Sequence, residues 1–188
     1  KIFADKLSLE NDYNGNDVCL TIDKKLQFIA ERALEEGLKS TKSKRAAAII
    51  QNPHTGEILA MAALPNYDPN EKIPDISILR NGAITYVEEP GSTFKIVVLA
   101  GALEENIFKP TDKIDCENGK FKFGKQIISD HEGQKVISVS QVIEYSSNIG
   151  TAKIALQLGA QPFYKYIKMF GFDSLSGIDL NGEEKGLL

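Results

Sequence analysis

The chain has no tryptophan, and among its 188 residues there are only two cysteines, two histidines and two methionines. Cys19 and Cys116 stand too far apart in sequence for a disulfide framework, and with His54 and His131 they form no ligand-like cluster. No metal and no cofactor is therefore expected. Positive charge is scarce as well: Arg32, Arg45 and Arg80 are the only arginines. That scarcity reads as genome composition, but the net charge of −4 and a pI near 5.3 argue against nucleic acid as a partner. The longest apolar run, Ile96 to Leu103, falls far short of the roughly 20 residues that a membrane helix needs. The chain opens on Lys1 with no early apolar segment, so it shows no signal peptide and is expected to be cut from something longer. What remains is a globular composition, 42% hydrophobic and 26% charged, long enough for one domain or a domain with an appendage.

Along the chain, Asn11 to Asp17 reads as a loop, and residues 1–17 as a linker or the end of an upstream region. Asp23 can cap a helix reaching about Ser40, with Leu26, Ile29, Ala30, Ala33, Leu34 and Leu38 as one buried stripe. Ala46–Ile50 and Ile58–Ala63 flank Asn52-Pro53-His54-Thr55-Gly56, which predicts a hairpin, and the absence of alternation predicts burial on both of its faces. Residues 64–90 are rich in loop signals. Pro90-Gly91 then precedes Ser92 and a helix expected to end near Asn106. Phe121–Phe123 and Gln126–Ile128 suggest a small two-stranded excursion. From Val136 onward the apolar spacing predicts helices, closed by Gly159, and Phe163, Tyr166, Ile167 and Phe170 mark one more that Gly171 ends. The expected class is α/β: a helix-packed antiparallel sheet with a helical subdomain following the Ser92 helix.

One residue does not fit its place. Lys95 falls in the first turn of a helix that is apolar on nearly every side, where the dipole favours an acid and burial penalises an ammonium. Its neighbour on the same face, three residues back, is Ser92. A serine hydroxyl is a weak nucleophile until a base takes its proton, and a desolvated lysine can be that base. Four-residue patterns recur by chance, and Ser92 can equally be a helix cap. Some fifty residues on, Tyr145-Ser146-Ser147-Asn148-Ile149-Gly150 offers a hydroxyl, Ser146, and an amide, Asn148, between two helical stretches. Each pattern alone has a capping explanation; the pair, in this order and at this distance, points to one site.

With these motifs the chain resembles the transpeptidase domain of class B penicillin-binding proteins, which cross-link peptidoglycan. The likeness runs from about Val18 to Leu188. It includes Leu20-Thr21-Ile22-Asp23, Pro53 to Met61, Pro65-Asn66-Tyr67-Asp68-Pro69-Asn70, Glu89-Pro90-Gly91-Ser92, Ser146-Ser147-Asn148 and Phe170-Gly171-Phe172. The short gap between Asn70 and Asn81 resembles the division-specific branch more than the elongation branch. The resemblance implies the penicillin-binding-protein and serine β-lactamase fold, with residues 18–188 as the N-terminal part of its catalytic domain. It implies that Ser92 attacks the penultimate D-alanine carbonyl of a stem peptide, forming an acyl-enzyme with Lys95 as base. It implies too that Ser146 would pass a proton to the leaving amine, that Asn148 would hold the substrate backbone, and that the Ser92 N–H would supply half of an oxyanion hole. β-Lactams, which mimic D-Ala-D-Ala, would trap Ser92. Peptidoglycan stem peptides, and cell-wall synthesis or division proteins, are the implied partners. The implied location is the extracytoplasmic face of the cell membrane, with an anchor upstream.

The chain departs from the family pattern at Asn81-Gly82-Ala83, where Asn-Arg-Ala is usual, and at Glu88, where an aromatic is usual. No K-T-G or K-S-G follows Asn148; His54-Thr55-Gly56 precedes Ser92 and reads as turn residues. The expected fold is therefore truncated before its last strands, and the fragment alone is expected to be impaired. Ser92-Thr93-Phe94-Lys95 also resembles class D β-lactamases and related β-lactam sensor domains. Those use a tryptophan beside a carboxylated lysine, and their second motif ends in an aliphatic residue, not an asparagine. A non-catalytic penicillin-binding-like module is the remaining alternative, which the downstream sequence would settle.

Overall fold

A computed structural model describes residues 16–73 and 75–188. Most of the loop expected over residues 11–17, and of the 1–17 linker, lies outside the described residues. The chain divides into two compact units, one up to Ile84 and one from Thr85 to Leu188.

The first unit is built on helix α1 (Lys24–Thr41) and strands β1 (Ala46–Gln51) and β2 (Ile58–Leu64), followed by a 3₁₀ turn at Ile76–Leu79; the short α2 (Gly82–Thr85) falls at the boundary of the two units. Asp23 caps α1 as expected, its Oδ1 accepting from the Lys25 and Leu26 amides at 2.8 and 3.0 Å. Small side chains let helix and sheet approach closely: Ala30 is buried against Ala60 and Ala62, flanked by Leu26, Leu34 and Ile50. The stripe is narrower than its spacing suggests. Ile29 and Ala33 are exposed, because they lie at the edge of the face that meets the strands.

β1 and β2 pair antiparallel, Ala46 opposite Leu64, with a bulge between Ile50 and Gln51. The Gln27 side chain finishes the free edge of β2: its Nε2 donates to Met61 O at 3.0 Å, and its Oε1 accepts from Met61 N at 2.8 Å. An edge strand covered in this way has fewer groups left to recruit another chain. The hairpin is not buried on both faces. Burial alternates along β1, leaving Ala47 and Ile49 exposed, because α1 covers one face only. A uniformly apolar strand here reflects composition, not two-sided packing.

The second unit opens with a 3₁₀ turn, Gly91–Phe94, which runs into α3 (Lys95–Glu104). It continues through β3 (Lys113–Asp115), β4 (Lys120–Phe123), β5 (Gln126–Ser129) and β6 (Val136–Ser138) to α4 (Val139–Glu144), α5 (Asn148–Leu158) and α6 (Ala160–Met169). β4 and β5 form the expected excursion, Lys120 opposite Ser129. Val136 to Ser138, read as the start of helical pattern, is instead a strand paired with β3. Ser138 then switches the chain into α4 through a capping box with Gln141. The expected helix-packed antiparallel class holds, and its strands form three two-stranded sheets among the described residues. The core lies between α3, α5 and these strands, with Val98, Ala102, Ile114, Cys116, Val142, Ile149 and Ile154 buried. Phe170 and Ile143 are exposed, unlike the other apolar positions that mark their helices.

Candidate active site

Gly91 has φ +58, which favours glycine, and it lets the chain turn sharply after Pro90. The turn that follows is 3₁₀, not α, so residues three apart eclipse one another. Ser92 and Lys95 therefore stack on one side, with the Lys95 amide bonded back to Ser92 O. Phe94 points the other way and packs edge-on against Phe163 and Phe172, ring centroids 5.9 and 5.1 Å apart. Phe172 of the Phe170-Gly171-Phe172 motif, with Phe163, thus packs beneath the Ser92 turn. Ser92 itself is exposed.

Lys95, the misfit of the sequence, is only 8% exposed, and its Nζ is not left alone. It donates to Ser146 O at 2.5 Å and to Ser146 Oγ at 2.9 Å, across 51 residues of sequence. Burial pushes the ammonium below its ordinary pKa, and the nearby Asp130 carboxylate opposes that shift. Two of the residues singled out from the sequence are therefore in direct contact, and a third, Ser92, stands one 3₁₀ turn away.

Ser146 occupies the turn between α4 and α5 with φ +52, a conformation that non-glycine residues rarely adopt. Neither Ser146 nor Asn148 is the cap of α5. That role falls to Ser147, 1% exposed, whose Oγ accepts from Gly150 N at 2.9 Å. The middle serine is thus structural and turns its neighbours outward. Asn148 is exposed, its Nδ2 donating to Ser129 O at 2.9 Å, so it meets the end of β5 and not Lys95.

Asp130 was not singled out from the sequence. Its Oδ2 accepts from Ser147 Oγ at 2.6 Å, and its Oδ1 accepts from the Asn148 and Ile149 amides at 2.6 and 3.0 Å. Nothing in the local pattern of Ser129-Asp130-His131 marks it, because its partners lie 17 to 19 residues downstream. Behind it, Cys116 is fully buried with Sγ 3.4 Å from Ser147 Oγ, and burial pushes its thiol pKa up, away from reactivity. His54 and Gly56 occupy the β1–β2 turn, His54 N donating to Asn52 Oδ1 at 2.9 Å, as turn residues would. No group of residues able to hold a metal ion occurs among the described residues.

Known proteins share this arrangement of elements. The crystal structure of a peptidoglycan glycosyltransferase from Burkholderia ambifaria superposes with a TM-score of 0.80 at 30% identity, over 90% of this chain and 50% of that one. The apo transpeptidase domain of penicillin-binding protein 3 from Burkholderia pseudomallei gives 0.79 at 28%, over 90% and 47%. The fold is thus the α/β fold of penicillin-binding transpeptidases. The sequence model of the penicillin-binding protein transpeptidase domain matches residues 46–188, and the chain belongs to that family. Among curated relatives, "Peptidoglycan D,D-transpeptidase FtsI" of Buchnera aphidicola is 37% identical over 96% of this chain and 32% of its own length. "Stage V sporulation protein D" of Bacillus subtilis is 35% identical over 93% of this chain and 28% of its own. The chain therefore spans about a third of the length of these curated relatives.

Proposed function

We propose that the protein carrying this chain is a serine-type peptidoglycan D,D-transpeptidase, with residues 18–188 forming the N-terminal part of its catalytic domain. The observation that carries this reading is the nearly buried Lys95 whose Nζ meets Ser146 Oγ at 2.9 Å, one turn from an exposed Ser92. The Lys95–Ser146 separation lies within the reach that proton transfer requires. Neutral Lys95 takes the Ser92 proton as Oγ bonds to the penultimate D-alanine carbonyl carbon of a stem peptide. Collapse of the tetrahedral adduct breaks the amide bond, and the proton returns through Ser146 to the departing D-alanine nitrogen. The amine of a second strand then attacks the acyl-serine, giving up a proton as Ser92 regains its own. Asn148, whose Nδ2 is held by Ser129 O, keeps Oδ1 to accept from the substrate's backbone amide. The Ser92 N–H, at a helix start where amides lack intrahelical acceptors, stabilises the oxyanion together with a donor from the K-T-G or K-S-G strand.

β-Lactams acylate Ser92 in the same way. The short segment between Asn70 and Asn81 supports a division role, with cell-wall synthesis or division proteins as partners and the catalytic region outside the cell membrane. No helix among the described residues is long and apolar enough to cross a membrane, so the anchor in this reading lies elsewhere in the protein. The test is labelling of the full-length protein with a fluorescent penicillin. Wild type takes one label, and Ser92→Ala takes none; a label that persists in Ser92→Ala removes Ser92 from its role.

A further inference from the structure

We propose that Asp130 is a positioning residue for this acyl transfer, fixing where Ser146 and Asn148 stand relative to Lys95. The inference rests on the transpeptidase reading above. Asp130 follows the last residue of β5, and its two carboxylate oxygens divide their work. One is bound by the buried Ser147 hydroxyl at 2.6 Å; the other takes the first two amides of α5, at Asn148 and Ile149. Those amides have no acceptor inside the helix, and the helix start favours an anion. The preceding residue, Ser129, holds the Asn148 side chain through its carbonyl. One end of one hairpin thus grips both the backbone and the side chain of Asn148.

The grip reaches Ser146 through the backbone. Its left-handed conformation persists only where the surroundings over-determine it. Two turn bonds, Ser146 N to Ile143 O and Ser147 N to Val142 O, set it from the α4 side. The Asp130–Ser147 bond sets it from the other. Releasing Asp130 leaves Ser147 held only by α4 and by its own helix start, through Val142 O, Gly150 N and Thr151, and so loosens the neighbouring residue whose carbonyl and hydroxyl both bind Lys95. Asp130 also acts through its charge, favouring the Lys95 ammonium against burial. The other titratable groups at this cluster are Cys116, Asp115 and Lys153, the last paired with Glu117. An ordinary helix cap would explain the amide bonds alone; it would not predict an effect on the lysine.

The test uses the full-length protein and the second-order rate of penicillin acylation across pH, with Ser92→Ala as the unlabelled control. Asp130→Ala is expected to lower that rate about 10²-fold, the cost typical of displacing a reacting group by about 1 Å, with the label still on Ser92. Asp130→Asn keeps an acceptor for the two amides and is expected to recover most of the loss. Its acidic limb, however, moves to lower pH, because the charge that favours the ammonium is gone. The same change appears without penicillin as a lowered titration of the Lys95 side chain by NMR. Wild-type rate in Asp130→Ala, or an unmoved Lys95 titration in Asp130→Asn, overturns the inference. If Asp130→Ala fails to fold, the Asp130→Asn titration still decides. A wild type that takes no label on Ser92 overturns instead the transpeptidase reading, and the two failures are thereby distinct.

Discussion

Among the described residues, two α-helices begin under an aspartate, one in each unit. In the first, Asp23 caps α1 from two and three residues away, with partners that any reading of Asp-Lys-Lys-Leu would find. In the second, Asp130 reaches the start of α5 from 18 residues upstream and is joined there by Ser147, the local cap. The carboxylate of the first cap bonds amides of its own helix, while the Asp23 amide donates to Leu59 O of β2. The second ties a hairpin, a helix and a strained turn into the place where Lys95 and Ser146 meet. A local cap can be lost at the cost of a helix end, whereas a remote one holds elements that have no other reason to stay in register.

The largest effect expected from breaking this contrast is at the group the second unit encloses. Lys95→Ala in the full-length protein should cut penicillin acylation by about 10²–10⁴-fold, the range for a lost general base. In the wild type the rate should rise with pH as Lys95 loses its proton. Because burial depresses its pKa, the midpoint falls below the ordinary lysine value of about 10.4. A midpoint at the ordinary value would mean that Lys95 is not held as the structure has it. A stopped-flow pH series measures both.

Gly150→Ala should come next, acting on packing around the remote cap. A Cβ there would meet Val142 side-chain carbons at 2.6 and 3.0 Å and Ser147 Oγ at 3.1 Å. Overpacking of that kind costs about 1–3 kcal/mol, read as a fall in the urea midpoint, and it should lower acylation because it displaces Ser147. Stability lost with acylation intact would separate α5 packing from the site.

The smallest effect belongs to the first unit. Asp23→Ala should cost about 1 kcal/mol, as lost caps do, and leave the acylation rate per folded molecule unchanged. A drop in rate would show that the local cap carries more than its helix.

The same contrast explains how much was legible in advance. The α1 cap, the Asn52–Gly56 turn, the β4–β5 hairpin and the Ser92/Lys95 spacing all depend on residues a few positions apart, and the pattern along the chain contains them. Two expectations failed because neither apolar content nor apolar spacing says what covers a face. Ile49 is exposed because one helix covers one side of the hairpin, and Ile29 because it lies at the edge of the helix face that meets the strands. Val136 to Ser138 became a strand because β3 offered it a partner more than twenty residues back.

Ser92, Lys95, Ser146 and Asn148 stood out by residue type and spacing, and the resemblance to penicillin-binding transpeptidases implied a role for each. The contact between Lys95 and Ser146 was decided only in three dimensions, where a chain crossing of 51 residues desolvates an ammonium and supplies it with an oxygen. Asp130 belongs wholly to that second category. An aspartate in a loop is ordinary, and only the folding of β5 against α5 leaves its carboxylate facing two unpaired amides and a buried hydroxyl.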